Sequence, residues 1–258
     1  MYAIINENVH FGVRIMAKLR LDKIIASTGE YSRSEAANLI RMGAVLVNGI
    51  PAGSGADKYD PETDEIIVKG VCISYSKYYY VMMNKPAGVL SATDDNRDKT
   101  VLDLLPEKYK KIGLFPAGRL DKASEGLMLL TNDGEYAHKV ITPNKKVFKK
   151  YYVETEGILT EKDCKAVEEG IALKDFTTLP GKMEIISSGE NSSAYVYICE
   201  GKFHQVRRML QSLGKPVTYL KRMSIGSLVL DETLHVGEYR EMQKEEADKV
   251  FLNNSKIG

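Results

Sequence analysis

Hydrophobic and polar residues alternate along this chain in short segments that predict both helices and strands. Apolar residues at helical spacing, with capping and terminating residues at the segment ends, predict helices over 17–28, 32–42, 135–141, 160–169 and 203–213. Apolar or Tyr/Val/Ile-rich runs predict strands over 45–47, 64–68, 79–83, 127–131, 150–155, 194–199 and 225–230. The two kinds of segment are mixed along the chain, which favours an α+β fold.

Individual residues define the ends of the predicted elements between residues 32 and 49. Ser32 and Glu35 fit a capping box, in which each side chain binds the backbone N–H of the other, and Gly43 stands where a helix ends. Asn48-Gly49 follows the first short strand and predicts a tight hairpin, because both turn residues must tolerate positive φ.

The pattern also predicts the domain organisation. Residues 16–74 form a small unit, 75–78 a linker, 79–244 a larger domain and 245–258 a C-terminal tail. Residues 1–15 are interrupted by polar side chains and lack a cleavage site, so they predict an extension with little fold content and no secretory signal.

Composition narrows the class of protein. The chain has 258 residues, 43% of them hydrophobic, and three well-separated cysteines, which is typical of a soluble protein without disulfides or a structural zinc site. No stretch approaches the roughly 20 apolar residues of a membrane span. We therefore expect a cytoplasmic protein with no membrane partner.

Charge is balanced overall but unevenly distributed. The 36 Lys and Arg against 35 Asp and Glu give a net charge of +1, which excludes binding to nucleic acid through overall charge. Residues 136–153 nevertheless carry five Lys and no acid, and residues 201–230 carry six Lys or Arg and no acid. Solvated surfaces explain such runs as well as an RNA partner does, and charge alone leaves both interpretations open.

Several common catalytic and cofactor motifs are absent. The chain has no G-x-S-x-G, Walker loop, G-x-G-x-x-G or H-E-x-x-H, and its four His show no metal-ligand spacing. We expect no cofactor and no metal.

One loop carries a candidate catalytic group. Asp121 lies in a polar segment bounded by Gly118 and Gly126, immediately before the apolar run 127–131. A carboxylate on such a rigid support is a candidate nucleophile or base, whereas an isolated Asp in a turn more often caps a backbone amide.

The residues around Asp121 belong to a set of five motifs that resembles a known family. In chain order they are N-K-P-A-G at 84–88, G-R-L-D-K-A-S-E-G-L-M-L-L-T-N-D-G at 118–134, K-K-Y-Y-V at 149–153, E-G-K-F-H-Q-V-R-R-M at 200–209 and L-K-R-M-S-I-G at 220–226. They resemble the RNA pseudouridine synthases of the RsuA type, and residues 16–70 resemble the small RNA-binding module of a ribosomal small-subunit protein. The resemblance covers nearly the whole chain after Met16. The family usually has D-x-x-T in the signature loop, where this chain has Asp121 and Ser124.

The resemblance implies a fold and three catalytic residues. The larger domain is expected to be a mixed, mainly antiparallel β-sheet flanked by helices, preceded by the small α/β module. Asp121 aligns with the catalytic Asp, which attacks the uracil ring, attacks the ribose or abstracts a ribose proton; the sequence does not choose among these routes. Tyr151 aligns with the aromatic residue that stacks on the flipped base, and Arg207 with the basic residue that pairs with the Asp. Tyr152, on the other face of its strand, is expected to point into the core.

The resemblance and the charge pattern together predict residues that contact RNA. Lys85 is expected either to contact RNA or to be structural. The remaining predicted RNA contacts are Lys18, Arg20, Arg33, Arg41, Arg119, Lys149, Lys202, His204, Gln205, Arg208 and Arg222.

The implied activity is isomerisation of uridine to pseudouridine in ribosomal RNA by a monomer that acts on rRNA or on a subunit assembly intermediate. Residues 91–95 and 138–143, and the lack of a long basic tail, resemble the small-subunit (16S) enzymes. Two alternatives stay open: a large-subunit rRNA pseudouridine synthase, and a non-catalytic RNA-binding assembly factor on the same scaffold.

Overall fold

The computed structural model describes residues 17–142 and 147–252. The chain divides into two compact units between Lys77 and Tyr78. Within the described residues, no helix has both the length and the apolar character needed to cross a membrane. The predicted extension 1–15 and two lysines of the first acid-free segment, Lys145 and Lys146, lie outside the described residues.

The first unit packs two helices against a small sheet. The helices are α1 (Leu21–Ala26) and α2 (Arg33–Arg41). The strands are β1 (Leu19–Arg20), β2 (Val45–Val47), β3 (Ile50–Pro51), β4 (Lys58–Tyr59), β5 (Ile66–Val68) and β6 (Val71–Ile73). Strands β3, β2, β5 and β6 pair in that order, and β1 pairs with β4.

Short-range contacts in this unit match the sequence. The Ser32 hydroxyl accepts from the Glu35 N–H and the Glu35 carboxylate accepts from the Ser32 N–H, so the capping box is confirmed. The hairpin is confirmed too, with φ of 51° at Asn48 and 77° at Gly49. The predicted helix 17–28 is wrong in its first turn, because Leu19–Arg20 forms strand β1 and α1 begins only at Leu21.

The second unit is built around one large sheet. Its strands are β7 (Tyr80–Lys85), β8 (Phe115–Pro116), β9 (Glu125–Thr131), β10 (Lys149–Glu156), β11 (Lys182–Ser187), β12 (Asn191–Ile198), β13 (Val217–Ile225), β14 (Leu228–Val229) and β15 (Tyr239–Met242). Its helices are α3 (Glu107–Lys111), α4 (Gly134–Ile141), α5 (Glu161–Glu169), α6 (Gln205–Ser212) and α7 (Lys244–Ala247), with 3₁₀ turns at Val101–Leu104 and Asp248–Phe251.

The sheet is mainly antiparallel, as the fold class predicts. Its order is β11-β12-β10-β13-β9-β7-β15, with β14 beside β13 and β8 beside β9. Among the described strands of this sheet, β13 and β9 form the one parallel pair, joined at Lys221–Glu125 and Arg222–Gly126. The mixed, mainly antiparallel α+β architecture is therefore confirmed.

Both faces of the central strands are buried, which explains their continuous apolar runs. On β7, Val81 and Met83 belong to one apolar cluster, whereas Tyr80 and Met82 belong to the cluster on the opposite face. Alternate residues of a strand point to opposite faces, so a strand between two cores carries apolar side chains on both faces.

Three sequence predictions in this unit are wrong at their boundaries. The strand predicted over 225–230 is the end of the nine-residue β13, followed by the short β14. The helix predicted from residue 203 begins at Gln205, because His204 takes a left-handed backbone conformation. Residues 245–251, assigned to a tail, form α7 and a 3₁₀ turn and bury Ala247 and Val250.

Candidate active site

Asp121 lies in the loop between β8 and β9, where two contacts from the segment after β7 hold the backbone. The Ser91 hydroxyl donates to the Leu120 carbonyl (2.7 Å) and accepts from the Leu120 N–H (3.0 Å). The Gly88 N–H donates to the Lys122 carbonyl (2.7 Å). The residues on either side of Asp121 are therefore tied to the same neighbouring segment, which limits the movement of its carboxylate.

Lys85 completes this support from inside the protein. Its side chain is fully buried, and its ammonium donates to the carbonyls of Pro86 (2.9 Å) and Ser124 (2.9 Å), with longer contacts to those of Asp121 (3.3 Å) and Lys122 (3.5 Å). Burial lowers the pKa of this amine to about 8. Of the two roles expected for Lys85, the structure supports the structural one, because a fully buried amine has no surface to offer RNA.

Tyr151 faces the same place from the middle of β10. Its side chain is buried, and it lines a cavity of about 50 Å³ together with Asp121, Ser124 and Arg119. The expectation that Tyr152 points into the core is wrong: Tyr152 is half-buried on the other face, and its hydroxyl donates to Glu154. The strand thus presents Tyr151, and not Tyr152, to the cavity that holds the Asp121 side chain.

The side chain beside the Asp121 carboxylate differs from the one expected. The His204 imidazole Nε2 lies 3.6 Å from the Asp121 carboxylate. The implied Arg207–Asp121 ion pair is not among the ion pairs of residues 17–142 and 147–252. Arg207 instead donates to the carbonyls of Val217 at the start of β13 (3.0 Å) and of Ala123 in the loop (3.5 Å).

A second cavity, of about 170 Å³, adjoins the first across Tyr151 and Arg119. Arg222, on the strand next to Tyr151, is buried and lines this cavity. Its Nε donates to the Leu127 carbonyl, and its Nη2 has no hydrogen-bond partner among residues 17–142 and 147–252. Lys149 lines the same cavity, and burial lowers the pKa of its amine to about 8. Two buried cations facing one cavity can bind an anion or a carbonyl oxygen.

The remaining predicted RNA contacts of the larger domain fall into two groups. Arg119 and Lys202 are exposed and line all three cavities of the site, the third being about 350 Å³. Arg208 binds Asp175 through both terminal nitrogens and lies over the Phe176 ring. An RNA contact by Arg208 would therefore require it to exchange a protein partner.

Gln205 does not have the surface that its predicted role requires. It is buried, its amide nitrogen donates to Glu200 (2.7 Å) and its amide oxygen accepts from the Lys202 N–H (3.0 Å). Both polar atoms of the side chain are therefore engaged in fixing the start of α6, and the structure supports a structural role for Gln205.

The four basic residues predicted in the first unit are all exposed. Arg20 is paired with Asp22 at 2.6 Å, while Lys18, Arg33 and Arg41 show no ion pair within the described part of the chain. Their exposure is compatible with phosphate contacts.

Asp121, Tyr151 and the adjoining cations can act on a planar polar ligand. The Tyr151 ring offers a π-face, the Asp121 carboxylate can act as nucleophile or base, and the cations offer hydrogen bonds to oxygens. Across residues 17–142 and 147–252, no group of three or more His, Cys, Asp or Glu is placed to hold a metal ion. Sequence reasoning missed the roles of Ser91 and His204 near Asp121. Only the fold brings the Ser91 hydroxyl to the Leu120 backbone and the His204 ring to the Asp121 carboxylate.

Comparison with family models gives two matches. The model described as RNA pseudouridylate synthase matches residues 79–212, and the model described as S4 domain matches residues 19–66. The five motifs and all three cavities thus lie in or next to the first match.

Comparisons with individual proteins over most of the chain agree with the match to the RNA pseudouridylate synthase model. Two Bacillus subtilis proteins are similar to this chain. An uncharacterized RNA pseudouridine synthase is 44% identical over 88% of this chain and 96% of that protein. The ribosomal large subunit pseudouridine synthase B is 36% identical over 90% of this chain and 95% of that protein. The ribosomal small subunit pseudouridine synthase A of Vibrio cholerae is 37% identical over 90% of this chain and 100% of that protein. A crystal structure of a pseudouridylate synthase is 37% identical and matches with a TM-score of 0.62, covering 90% of this chain and 99% of that one.

Proposed function

This chain belongs to the RNA pseudouridylate synthase family, and from that premise we propose that it isomerises a uridine of 16S ribosomal RNA to pseudouridine, with Asp121 as the catalytic residue. The observation that carries the proposal is the cavity shared by the Asp121 carboxylate and the Tyr151 ring. A flipped uridine needs a π-face in place of its lost neighbours, and it needs a reactive group beside the glycosidic bond.

The reaction requires no redox partner and no group donor. The N1–C1′ bond breaks, the uracil turns and a C5–C1′ bond forms; C5 loses its proton and N1 gains one. In this proposal Asp121 starts the sequence by attacking the uracil ring or the ribose, or by taking a ribose proton. Tyr151 holds the detached base by stacking, so that the base turns without leaving the cavity.

Neighbouring groups support the carboxylate in different ways. His204, whose Nε2 lies 3.6 Å from the Asp121 carboxylate, supplies a positive charge beside it when the imidazole is protonated. Lys85 and Arg207 act through the backbone of the loop and are positioning residues, because they contact carbonyls of residues 121–124. This arrangement keeps the Asp121 side chain in place while the substrate turns.

The RNA backbone is proposed to follow the exposed and buried cations around the cavities. Arg119 and Lys202, which are exposed and line all three cavities, contact phosphates, while Arg222 and Lys149 bind oxygens of nucleotides that enter the second cavity. In the first unit, Lys18, Arg20, Arg33 and Arg41 add phosphate contacts that carry no sequence information.

The choice of 16S rRNA rests on the segment 91–95, which resembles that of small-subunit enzymes. Ser91 and Ala92 line the 350 Å³ cavity together with Asp121, so this segment is placed to contact the substrate. A large-subunit target is the alternative, since the large-subunit synthase of Bacillus subtilis is almost as similar as the small-subunit synthase of Vibrio cholerae.

A modification map tests both parts of the proposal. Pseudouridine would be mapped in the rRNA of cells that lack the gene and of cells that carry the wild type, Asp121→Asn or Glu232→Gln. Glu232 is exposed and lines none of the three cavities, so its carboxylate-to-amide change serves as the matched control. We expect one 16S position to lose its modification without the gene and with Asp121→Asn only.

Other outcomes of the map have definite meanings. Loss confined to 23S rRNA would replace the small-subunit target by the large-subunit one. If every pseudouridine remained without the gene and with Asp121→Asn, the catalytic proposal would be wrong and a non-catalytic assembly factor would take its place.

A further inference from the structure

An exposed aromatic pair stands at the edge of the site. The Phe203 side chain is 69% exposed, and its ring lies over the His204 ring with centroids 3.9 Å apart and planes inclined by 15°. Phe203 belongs to none of the apolar clusters of the described residues. A large aromatic side chain that packs on a neighbouring ring and otherwise faces solvent contributes little to the core and leaves one π-face open to a stacking partner.

The backbone under this pair is strained. His204 has φ of 49° and ψ of 32°, a left-handed conformation that costs a non-glycine residue free energy and is retained where the surrounding structure requires it. Here that conformation immediately precedes α6, with the His204 ring under Phe203 and its Nε2 3.6 Å from the Asp121 carboxylate. This backbone conformation therefore holds the exposed aromatic pair next to the candidate catalytic group.

The surroundings indicate what would cover the pair. Phe203, His204 and Asp121 line one cavity of about 350 Å³, whose other lining side chains include the cations of Arg119, Lys122 and Lys202. A flat apolar surface with positive charge around it matches single-stranded nucleic acid, in which bases stack on aromatic rings while phosphates meet the cations. The His204 Nε2 lies 3.6 Å from the Asp121 carboxylate, and the Phe203 ring packs on the His204 ring, so the aromatic pair adjoins the candidate catalytic group.

We propose that Phe203, supported by His204, is a stacking platform for an unpaired nucleobase adjacent to the target uridine. This inference rests on the proposed function, because it takes single-stranded RNA as the ligand. It adds a binding site for a flanking base to the catalytic pair, and it implies that the enzyme requires an unpaired neighbour beside the uridine. Stacking does not read the identity of the base, so the platform favours single-stranded context over any sequence.

A binding experiment separates stacking from phosphate contact. Two RNA probes of about ten nucleotides, a typical site size, would be compared at one salt concentration by fluorescence anisotropy. The first is an oligouridylate, and the second keeps one central uridine and replaces all others by abasic ribose. Both probes carry the same phosphates, so only the flanking bases differ.

The protein variants are chosen to keep the fold. Phe203→Leu removes the π-face from a side chain that is mostly exposed, and Phe203→Tyr preserves it. Ile158→Ala shortens another exposed apolar side chain, one that lines none of the three cavities, and serves as the control. Thermal unfolding would verify that each variant is folded.

We expect the wild type, Phe203→Tyr and Ile158→Ala to prefer the full oligouridylate about tenfold, the scale of one stacked base. Phe203→Leu is expected to bind both probes with the low affinity of the abasic one. If Phe203→Leu keeps the wild-type preference, the platform does not exist. If Phe203→Leu weakens both probes equally, Phe203 acts through the protein backbone and the inference is also wrong. A failed modification map together with the expected binding result would contradict the proposed catalysis alone.

Discussion

Replacing Lys85 by Met should change how the stability of the protein depends on pH. The Lys85 amine is fully buried, and burial lowers its pKa from 10.5 to about 8; Arg222 acts in the same direction, while Asp121 and Glu125 oppose it. Between pH 8 and 10.5 the unfolded chain therefore holds a proton that the folded chain has released. The free energy of unfolding rises with pH wherever the unfolded state binds more protons.

The size of the effect follows from the two pKa values. Below pH 8 the amine is charged in both states, and the full cost of burying the charge opposes folding. From pH 7 to 9.5 the Lys85 contribution should raise the free energy of unfolding by about 2 kcal/mol. The Lys85→Met variant has no titrating amine at this position and lacks this rise.

Urea unfolding of both proteins at several pH values between 7 and 9.5 would measure the difference. Titration of Lys149, whose pKa is also lowered to about 8, is common to both proteins and cancels. Lys139→Met is a control, because the Lys139 pKa is raised by its ion pair with Glu135 and stays outside this range. The free energy of unfolding of Lys85→Met would be subtracted from that of the wild type at each pH. If this difference stays flat or falls between pH 7 and 9.5, the assignment of a buried, partly neutral amine is refuted.

Two further substitutions test local features by the same urea assay. Gly126→Ala would place a Cβ 2.3 Å from the Arg222 backbone oxygen, so it should lower the free energy of unfolding by more than about 4 kcal/mol. Gly118→Ala has nearly the same φ but meets only a side-chain atom, at 3.2 Å, and should lower it by about 1–3 kcal/mol. Equal losses of stability in the two variants would show that the close approach of the Arg222 backbone to Gly126 is unimportant. Ser32→Ala removes one half of the capping box with Glu35 and should cost about 1 kcal/mol, and an unchanged urea midpoint would contradict a role for the cap.

Features set by neighbouring residues could be predicted from the sequence. The Ser32–Glu35 capping box and the Asn48-Gly49 turn depend on side chains and dihedral angles within a few residues, so a single segment carries all the information. The continuous run in β9 signalled a strand with both faces buried, for the same reason.

Strand β13 shows what such patterns miss. Its polar residues, including Lys221 and Ser224, fall on both faces and do not predict a central strand, and the sequence predicts a strand at 225–230 instead. Arg222 is buried there because carbonyls of Leu127 and Arg119, far away in the chain, accept its hydrogen bonds. Only the folded sheet brings those acceptors to it.

In the candidate site, too, the sequence predicts some residues and misses others. The motifs indicated Asp121 and Tyr151, and the structure places both at one cavity. The partners of these residues were harder to predict: His204, and not Arg207, lies beside the carboxylate, and Lys85 supports the loop from inside. Each of these contacts joins segments more than thirty residues apart, where neither spacing nor charge count predicts which side chain will arrive.

The release of tritium from RNA tests the central claim most directly. Formation of the C5–C1′ bond expels the hydrogen on C5, so purified protein would be incubated with 16S and 23S transcripts that contain 5-tritiated uridine. We expect the wild type and Glu232→Gln to release tritium from the 16S transcript, and folded Asp121→Asn to release none above background. Release by Asp121→Asn at the wild-type rate would contradict the assignment of Asp121 as the catalytic residue.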